Sequence, residues 1–243
     1  MLDLFSGIGG FSLAASWTGR IETVAFCEIE PYCQKVLKKH WPDVPIHDDI
    51  RTLRGEDVGT VDIVCGGFPC QDVSCANPKG KGLHGEMSGL WSEFSRIICE
   101  IRPQYAVVEN VPRLLKFGFN QVIGDLAQIG YDAEWQCIPA AAFGAPHLRE
   151  RVWIVAYPCG KPELQAHTVF STVRSQWETR DNACWSLGQP VPGTYWAVHK
   201  SPFPGVDDGI SDRLVRVALG NAIVPQVVYP IFQAIVDIEE GRA

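Results

Sequence analysis

Three stretches of this chain carry residue types able to do chemistry. The first is Gly66-Gly67-Phe68-Pro69-Cys70-Gln71, which follows the apolar run Val61–Cys65. That run reads as a buried strand of a parallel sheet. The two glycines permit a sharp turn and a close approach, and Pro69 stiffens it. Cys70 is thereby set where a strand ends, at the sheet edge where open α/β folds bind ligands. A thiol there can reach a substrate; a buried cysteine that merely packs is the alternative. The second stretch is Glu109-Asn110, at the end of the apolar run Gln104–Val108. A carboxyl group in that place is costly to bury unpaired, and a doubly wound sheet would set it near Cys70. The alternative is a capping Glu-Asn pair ahead of Pro112 at the start of a helix. The third is Arg149 and Arg151, which alternate on the way into the strand Val152–Ala156. They are expected to share one face of an extended segment, poised for an anion or for polar base edges. A solvated charged edge is the alternative.

These groups need a frame, and the chain in order supplies one. Met1–Phe5 reads as a strand, Ser6-Gly7-Ile8-Gly9-Gly10 as a glycine-rich turn and Phe11–Trp17 as the start of a helix. Such a turn offers backbone N–H groups and a helix N-terminus to a cofactor, although strand-to-helix turns also use glycine for structural reasons. The glycine pattern is neither GxGxxG nor GxxxxGK[ST], which disfavours a dinucleotide or a triphosphate. Thr23–Cys27 reads as the second strand, ending at Glu28. A carboxylate there is placed to hold ribose hydroxyls or to favour the start of the helix Pro31–His40. After His47-Asp48, Asp49 could accept from an adenine amino group while Ile50 packs on the ring. Asp49 could instead cap a short helix from Arg51. Further on come a polar, basic loop, Gln71–Ser88, and an amphipathic helix, Leu90–Ile101. A helix is expected over Arg113–Ile129, a strand over Tyr131–Ile138 and a final helix over Val227–Ile238. Between them, Tyr157–Pro204 is rich in proline and tryptophan, shows no long helical period and reads as a small irregular insert.

Composition narrows the classes. The chain has 243 residues, 46% hydrophobic, enough for one large domain or a domain with a small insert. No apolar run reaches the ~18 residues needed to span a bilayer, and the first residues lack the pattern of a signal peptide. A soluble protein is expected. Nine cysteines without paired spacing indicate reduced thiols and no metal site, although Cys137, Cys159 and Cys184 with His167 and His199 could gather one. The net charge of −7 does not advertise nucleic-acid binding. Residues 144–216, with 8 basic and 7 acidic side chains, and the Lys79/Lys81 loop are where a polyanion would be steered.

Taken together and in order, DLFSGIGGF, Glu28, Asp49-Ile50, GFPCQ, ENV, RERVWIV and GNAIVPQ resemble the cytosine-C5 DNA methyltransferases, of the bacterial and phage type with a short target-reading region. The resemblance covers roughly two-thirds of the chain, and its strength lies in joint order and spacing. It implies an α/β fold, a doubly wound and mostly parallel Rossmann-like sheet that binds S-adenosyl-L-methionine. Residues 1–156 with 217–243 would form that catalytic domain, and 157–216 a small target-recognition region. Asp3, Phe5, Gly7, Ile8 and Gly10 would line the methionine and adenosine pocket. Glu28 and Ile29 would meet the ribose, Asp49 and Ile50 the adenine. Gly67, Pro69, Leu90, Asn221 and Ala222 would complete the pocket.

The implied reaction methylates C5 of cytosine in double-stranded DNA. Cys70 would add to C6 so that C5 becomes nucleophilic. Glu109 would stabilise the charge at N3, and Arg151 with Arg149 would hold the base. The target base would be rotated out of the duplex, with Gln71, Ser74, Lys79 and Lys81 contacting DNA. His147 stands where family members usually have Gln. A monomer in the cytoplasm of a bacterial host, alone or with a companion restriction endonuclease, fits the resemblance. The rival readings are a tRNA cytosine-C5 methyltransferase, a non-catalytic DNA-binding relative and a Rossmann-fold dehydrogenase.

Overall fold

The computed structural model describes residues 1–69, 88–145, 148–161, 164, 168–178 and 222–242. Seven strands make one sheet: β1 (Leu2–Leu4), β2 (Ala25–Cys27), β3 (Ile46–His47), β4 (Ile63–Gly66), β5 (Tyr105–Asn110), β6 (Tyr131–Pro139) and β7 (Glu150–Pro158). Their spatial order is β3-β2-β1-β4-β5-β7-β6. The first five run parallel, and β7 is antiparallel to both β5 and β6. The sheet is therefore doubly wound and mostly parallel, as the sequence pattern requires.

Burial explains why short apolar runs became strands. Every residue of β1, β2, β4 and β5 is buried, the pattern of strands covered on both faces. Alternate residues then feed two cores. Cys65, Val107, Trp153 and Val155 pack with α1 (Gly10–Thr18) and α8 (Pro225–Glu239). Val64, Ala106, Val108, Ile154 and Ala156 pack with α4 (Ser88–Ile101) and α6 (Phe119–Gln128). Two large rings anchor the layers: Trp153 meets Phe11 edge-on in the first, and Trp91 stacks on Phe94 in the second.

The remaining helices are α2 (Pro31–His40), α3 (Gly55–Val58), α5 (Leu114–Phe117) and α7 (Val169–Glu178). Two differ from the sequence expectation. The single helix expected over Arg113–Ile129 is broken between α5 and α6 at Gly118, whose φ of −166° lies outside the helical region. In addition, α7 occupies part of the stretch in which no helical period was legible. Its start is held from elsewhere: the Glu134 carboxylate on β6 accepts the N–H groups of Val169 and Phe170. Val169 and Val173 then bury into the same core as α8. A cap supplied by a distant strand leaves no local signal. The residues of the 157–216 stretch beyond Glu178 lie outside the described ones.

The order of strands places a switch point between β1 and β4. The chain leaves β1 toward β2 and β3, then returns to build β4 and β5 on the other side. The crevice at the carboxyl ends of β1 and β4 is where such sheets bind ligands. No described helix is long and apolar enough to cross a membrane.

Gly66, the last residue of β4, is where β1, β4 and α4 come closest. A Cβ placed there would lie 2.4 Å from the Leu4 carbonyl oxygen and 2.9 Å from the Phe94 ring. The carbonyl belongs to the neighbouring strand and has little room to yield. Gly66→Ala should lower the unfolding free energy by about 1–3 kcal/mol, read as a smaller denaturant midpoint in equilibrium unfolding.

Candidate active site

The turn after β1 is built from left-handed backbone. Phe5, Gly7 and Gly9 have φ of 52°, 54° and 85°. Glycine suits the latter two positions, and Phe5 tolerates its strain because its ring is stacked on Phe94. The turn is tied to the tip of β2 by one carboxylate. Glu28 Oε2 accepts the Gly7 N–H at 2.7 Å, and Oε1 accepts the Glu30 N–H at 2.7 Å. Each oxygen keeps a further lone pair for a ligand hydroxyl. Nothing lies within 4 Å of the point where a Gly7 Cβ would stand, so the turn faces open space. Beside Glu28, Ile29 is 63% exposed, a large apolar surface with a carboxylate next to it. That pairing fits an aromatic base joined to a sugar, and the residues present suit a nucleoside-bearing cofactor.

Several residues expected around this crevice stand elsewhere in it. Asp3 is fully buried beneath the turn, so it supports the pocket from below. Its Oδ2 accepts the Ser12 hydroxyl at 2.7 Å, and Ser12 in turn accepts Thr23. Ile50 packs in the core under α4, and the open isoleucine is Ile29. Asp49 is bound by the Arg51 guanidinium through both oxygens, and it also accepts the Arg51 N–H; residues 50–52 form a turn, so Asp49 closes that turn and caps no helix from Arg51. Ile8 and Leu90 are partly exposed, with Leu90 packed at the edge of the α4 core.

A second group of residues meets at the ends of β5 and β7. Glu109 lies opposite Trp153 in the antiparallel ladder. Its Oε1 is 2.8 Å from Arg151 Nε. Its Oε2 lies 2.7 Å from where a Gly67 Cβ would stand, so only glycine at 67 leaves the carboxyl room. Asn110 donates from Nδ2 to the Phe68 carbonyl at 3.1 Å, fixing the Gly67–Pro69 segment against β5. Glu109, Arg149, Arg151, Trp153, Ile138 and Val224 line a cavity of about 10 Å³. Burial holds the Glu109 carboxyl above its usual range, against the pull of Arg151 and Arg149. Burial and the neighbouring Arg151 lower Arg149.

Arg149 does not continue the strand, contrary to the alternation read from sequence. Its φ of 28° turns the chain just ahead of β7. The two arginines nevertheless reach one cavity, because the turn redirects Arg149 toward the C-terminal segment. Its guanidinium donates to the Ala222 carbonyl at 2.7 Å. The next residue, Ile223, packs where Cβ atoms on Gly10 and Gly67 would stand, at 2.8 and 3.6 Å. Ala222–Val224 therefore joins the cofactor turn to the Glu109 cavity. Sequence reasoning missed Ile223, Asn110 as a tether and Trp41, whose ring lies over Gly9. Ile223 and Asn110 sat in recognised motifs, while Trp41 sat in none. Cys70, Gln71, Ser74, Lys79, Lys81, His147 and Asn221 lie outside the described residues, as do Cys184, His167 and His199. Among the described residues no three His, Cys, Asp or Glu side chains are gathered to hold a metal.

Asp3 carries a pH signature. Burial raises its carboxyl to about 8, opposed by the Ser12 hydrogen bonds, while an unfolded chain releases that proton near ~3.9. The folded state thus keeps a proton that the unfolded state loses. The stabilisation is complete below about pH 4 and is lost as pH rises to about 8. Thermal melts of Asp3→Asn should gain on the parent chain steadily as pH is raised from 5 to 8.

Comparisons with known proteins agree with this geometry. A model of the family described as C-5 cytosine-specific DNA methylase matches residues 1–187. Type II methyltransferase M2.BsuMI of Bacillus subtilis strain 168 is 36% identical over 164 residues, covering 64% of this chain and 41% of that protein. Type II methyltransferase M.Bsp6I of Bacillus sp. strain RFL6 is 35% identical over 161 residues, 64% of this chain and 51% of that protein. The chain thus spans about half the length, or less, of these relatives. A solved structure of a Spodoptera frugiperda DNMT2 mutant shares the fold at a TM-score of 0.56 and 22% identity, over 66% of this chain and 50% of that one. With a family model matched across residues 1–187 and every described motif at the mouth of the same sheet, the chain belongs to the C-5 cytosine-specific DNA methylases.

Proposed function

We propose that this protein methylates C5 of cytosine in double-stranded DNA, with S-adenosyl-L-methionine as donor. The observation that carries the reading is the raised, buried Glu109 carboxyl held by Arg151 beside the Gly67–Pro69 segment. A carboxyl that keeps its proton more readily than usual can donate to a ring nitrogen as negative charge develops there. Family membership supports the substrate.

The donor supplies an electrophilic methyl group on a sulfonium. Glu28 and the Gly7 turn would hold its nucleoside, with Ile29 against the adenine face and Ala222 closing the pocket. Cys70, three residues beyond Gly67, would add through its thiolate to C6 of the cytosine. The ring then becomes an enamine whose C5 is nucleophilic. Glu109 would donate its proton toward N3 during that addition, and Arg151 would hold the base oxygen. After the transfer, loss of the C5 proton reverses the addition and frees the thiol. The target base must leave the stack to come within reach of Glu109, at a cost of a few kcal/mol. Gln71, Ser74, Lys79 and Lys81 would contact the DNA around it, and residues beyond Glu178 would read the flanking bases.

The Cys70→Ser chain should bind the methyl donor in calorimetry and show no turnover on duplex DNA. DNA carrying fluorine at C5 should trap the parent chain as an adduct that survives denaturing electrophoresis, and leave the variant unbound. Methyl transfer at the parent rate by Cys70→Ser would overturn the mechanism. The chain's target-reading stretch is about fifty residues, and each good base contact gives about 1–3 kcal/mol of discrimination. Bisulfite sequencing of DNA from expressing cells should therefore reveal a short or degenerate recognition sequence; a strict site of six or more bases would contradict this.

A further inference from the structure

The described surface beside the Glu109 cavity has a character at odds with the acidic chain as a whole. Asn110 ends β5, and α5 begins four residues later at Leu114. A four-residue step spans at most about 14 Å, so α5 stands close to the cavity. From Asn110 to Gly124 the sequence has two basic residues, Arg113 and Lys116, and no acidic one, in a protein of net charge −7. Phe117 is 43% exposed and Leu115 40%. The Arg113 guanidinium carbon lies 4.7 Å from the Phe117 ring centroid, and Lys116 Nζ lies 5.5 Å from it. Two cations are thus gathered on one exposed aromatic ring.

We propose that Arg113, Lys116 and Phe117 form a contact for the phosphate backbone of duplex DNA, next to the base held at Glu109. The inference rests on the DNA-methylating reading above. Duplex DNA carries one negative charge per ~1.7 Å of axis, so a base brought to Glu109 brings phosphates to the adjoining helix. The ring–cation contacts restrict where the two cations can point, and the open ring face can pack on a sugar. Such contacts orient a duplex and carry no sequence information. A protein partner fits less well, since a stable interface covers ~800 Å² on each side and α5 is a single turn.

The test is the salt dependence of binding to a 30-base-pair duplex, measured by fluorescence anisotropy from 50 to 200 mM salt. Lys116→Ala and Arg113→Ala should each flatten the slope of log affinity against log salt by about 0.9 for every phosphate that the variant no longer neutralises. Affinity at the lowest salt should fall about 3–10-fold. Lys116→Arg should keep the parent slope. Donor affinity by calorimetry and the melting temperature of Lys116→Ala should match the parent chain, which separates a DNA contact from a folding defect. Parent-like slopes in both alanine variants would overturn this surface and leave the methylation reading standing. Absence of methyl transfer to duplex DNA by the parent chain would overturn that reading and this inference with it.

Discussion

One buried carboxyl sets the terms for the site. Glu109 sits at the end of an interior strand, where an ionised carboxylate without a partner would be prohibitively costly. Arg151 offsets part of that cost through an ion pair of 2.8 Å. Pairs of this kind seldom add net stability compared with an apolar pair of the same shape. What the arrangement provides is a carboxyl whose proton is held more tightly than usual, in a cavity shared with two guanidiniums. The surrounding residues follow from it. Gly67 must lack a side chain to leave room for Oε2. Asn110 must hold the Phe68 carbonyl so that this room persists. Arg149 donates to the Ala222 carbonyl, which keeps a second cation close to the cavity.

The donor side of the crevice is organised by a different carboxylate in a different state. Glu28 accepts two backbone N–H groups at 2.7 Å and is fixed by them. Its oxygens are presented to a turn whose left-handed residues leave open space. Beneath it, Asp3 is buried with one oxygen unpartnered and a carboxyl raised to about 8. Three acidic residues within one sheet edge therefore do three separate things. Glu28 is oriented by donors, Glu109 is balanced by cations, and Asp3 is neutralised by burial. Residue type alone does not distinguish them.

That distinction marks how far the sequence was legible. The uniformly apolar strands, the glycine turn and the acidic strand ends were visible because each depends on neighbours in the chain. The family resemblance of the motifs between them implied the doubly wound sheet before any contact was known. What escaped depends on contacts between distant segments. The start of α7 is capped by Glu134 from β6, so no helical signal stands next to it. Arg149 looked like part of an alternating strand, yet it has a positive φ and its guanidinium bonds to Ala222, 73 residues away. Ile50 was the candidate for the adenine face, and Ile29 was expected elsewhere in the pocket. Only the packing under α4 shows that one is core and the other open.

Ile223 carries the argument one step further. Donor and acceptor chemistries must meet, yet the donor turn hangs from β1 and the Glu109 cavity from β5. They are separated by β4 in the sheet. A rigid sheet alone would fix their spacing but not the wall between them. The short segment before α8 supplies that wall. Ile223 presses on Gly10 at one end of the crevice and on Gly67 at the other, while the carbonyl of Ala222 is held by Arg149. Gly10 is required by that side chain, because a Cβ there would stand 2.8 Å from it, whereas at Gly67 Ile223 makes ordinary contact at 3.6 Å. The segment comes from the far end of the chain, and α8 behind it buries against α1. Closing the site is thereby tied to completing the core, because the residues that shut the crevice lead directly into a helix buried in it.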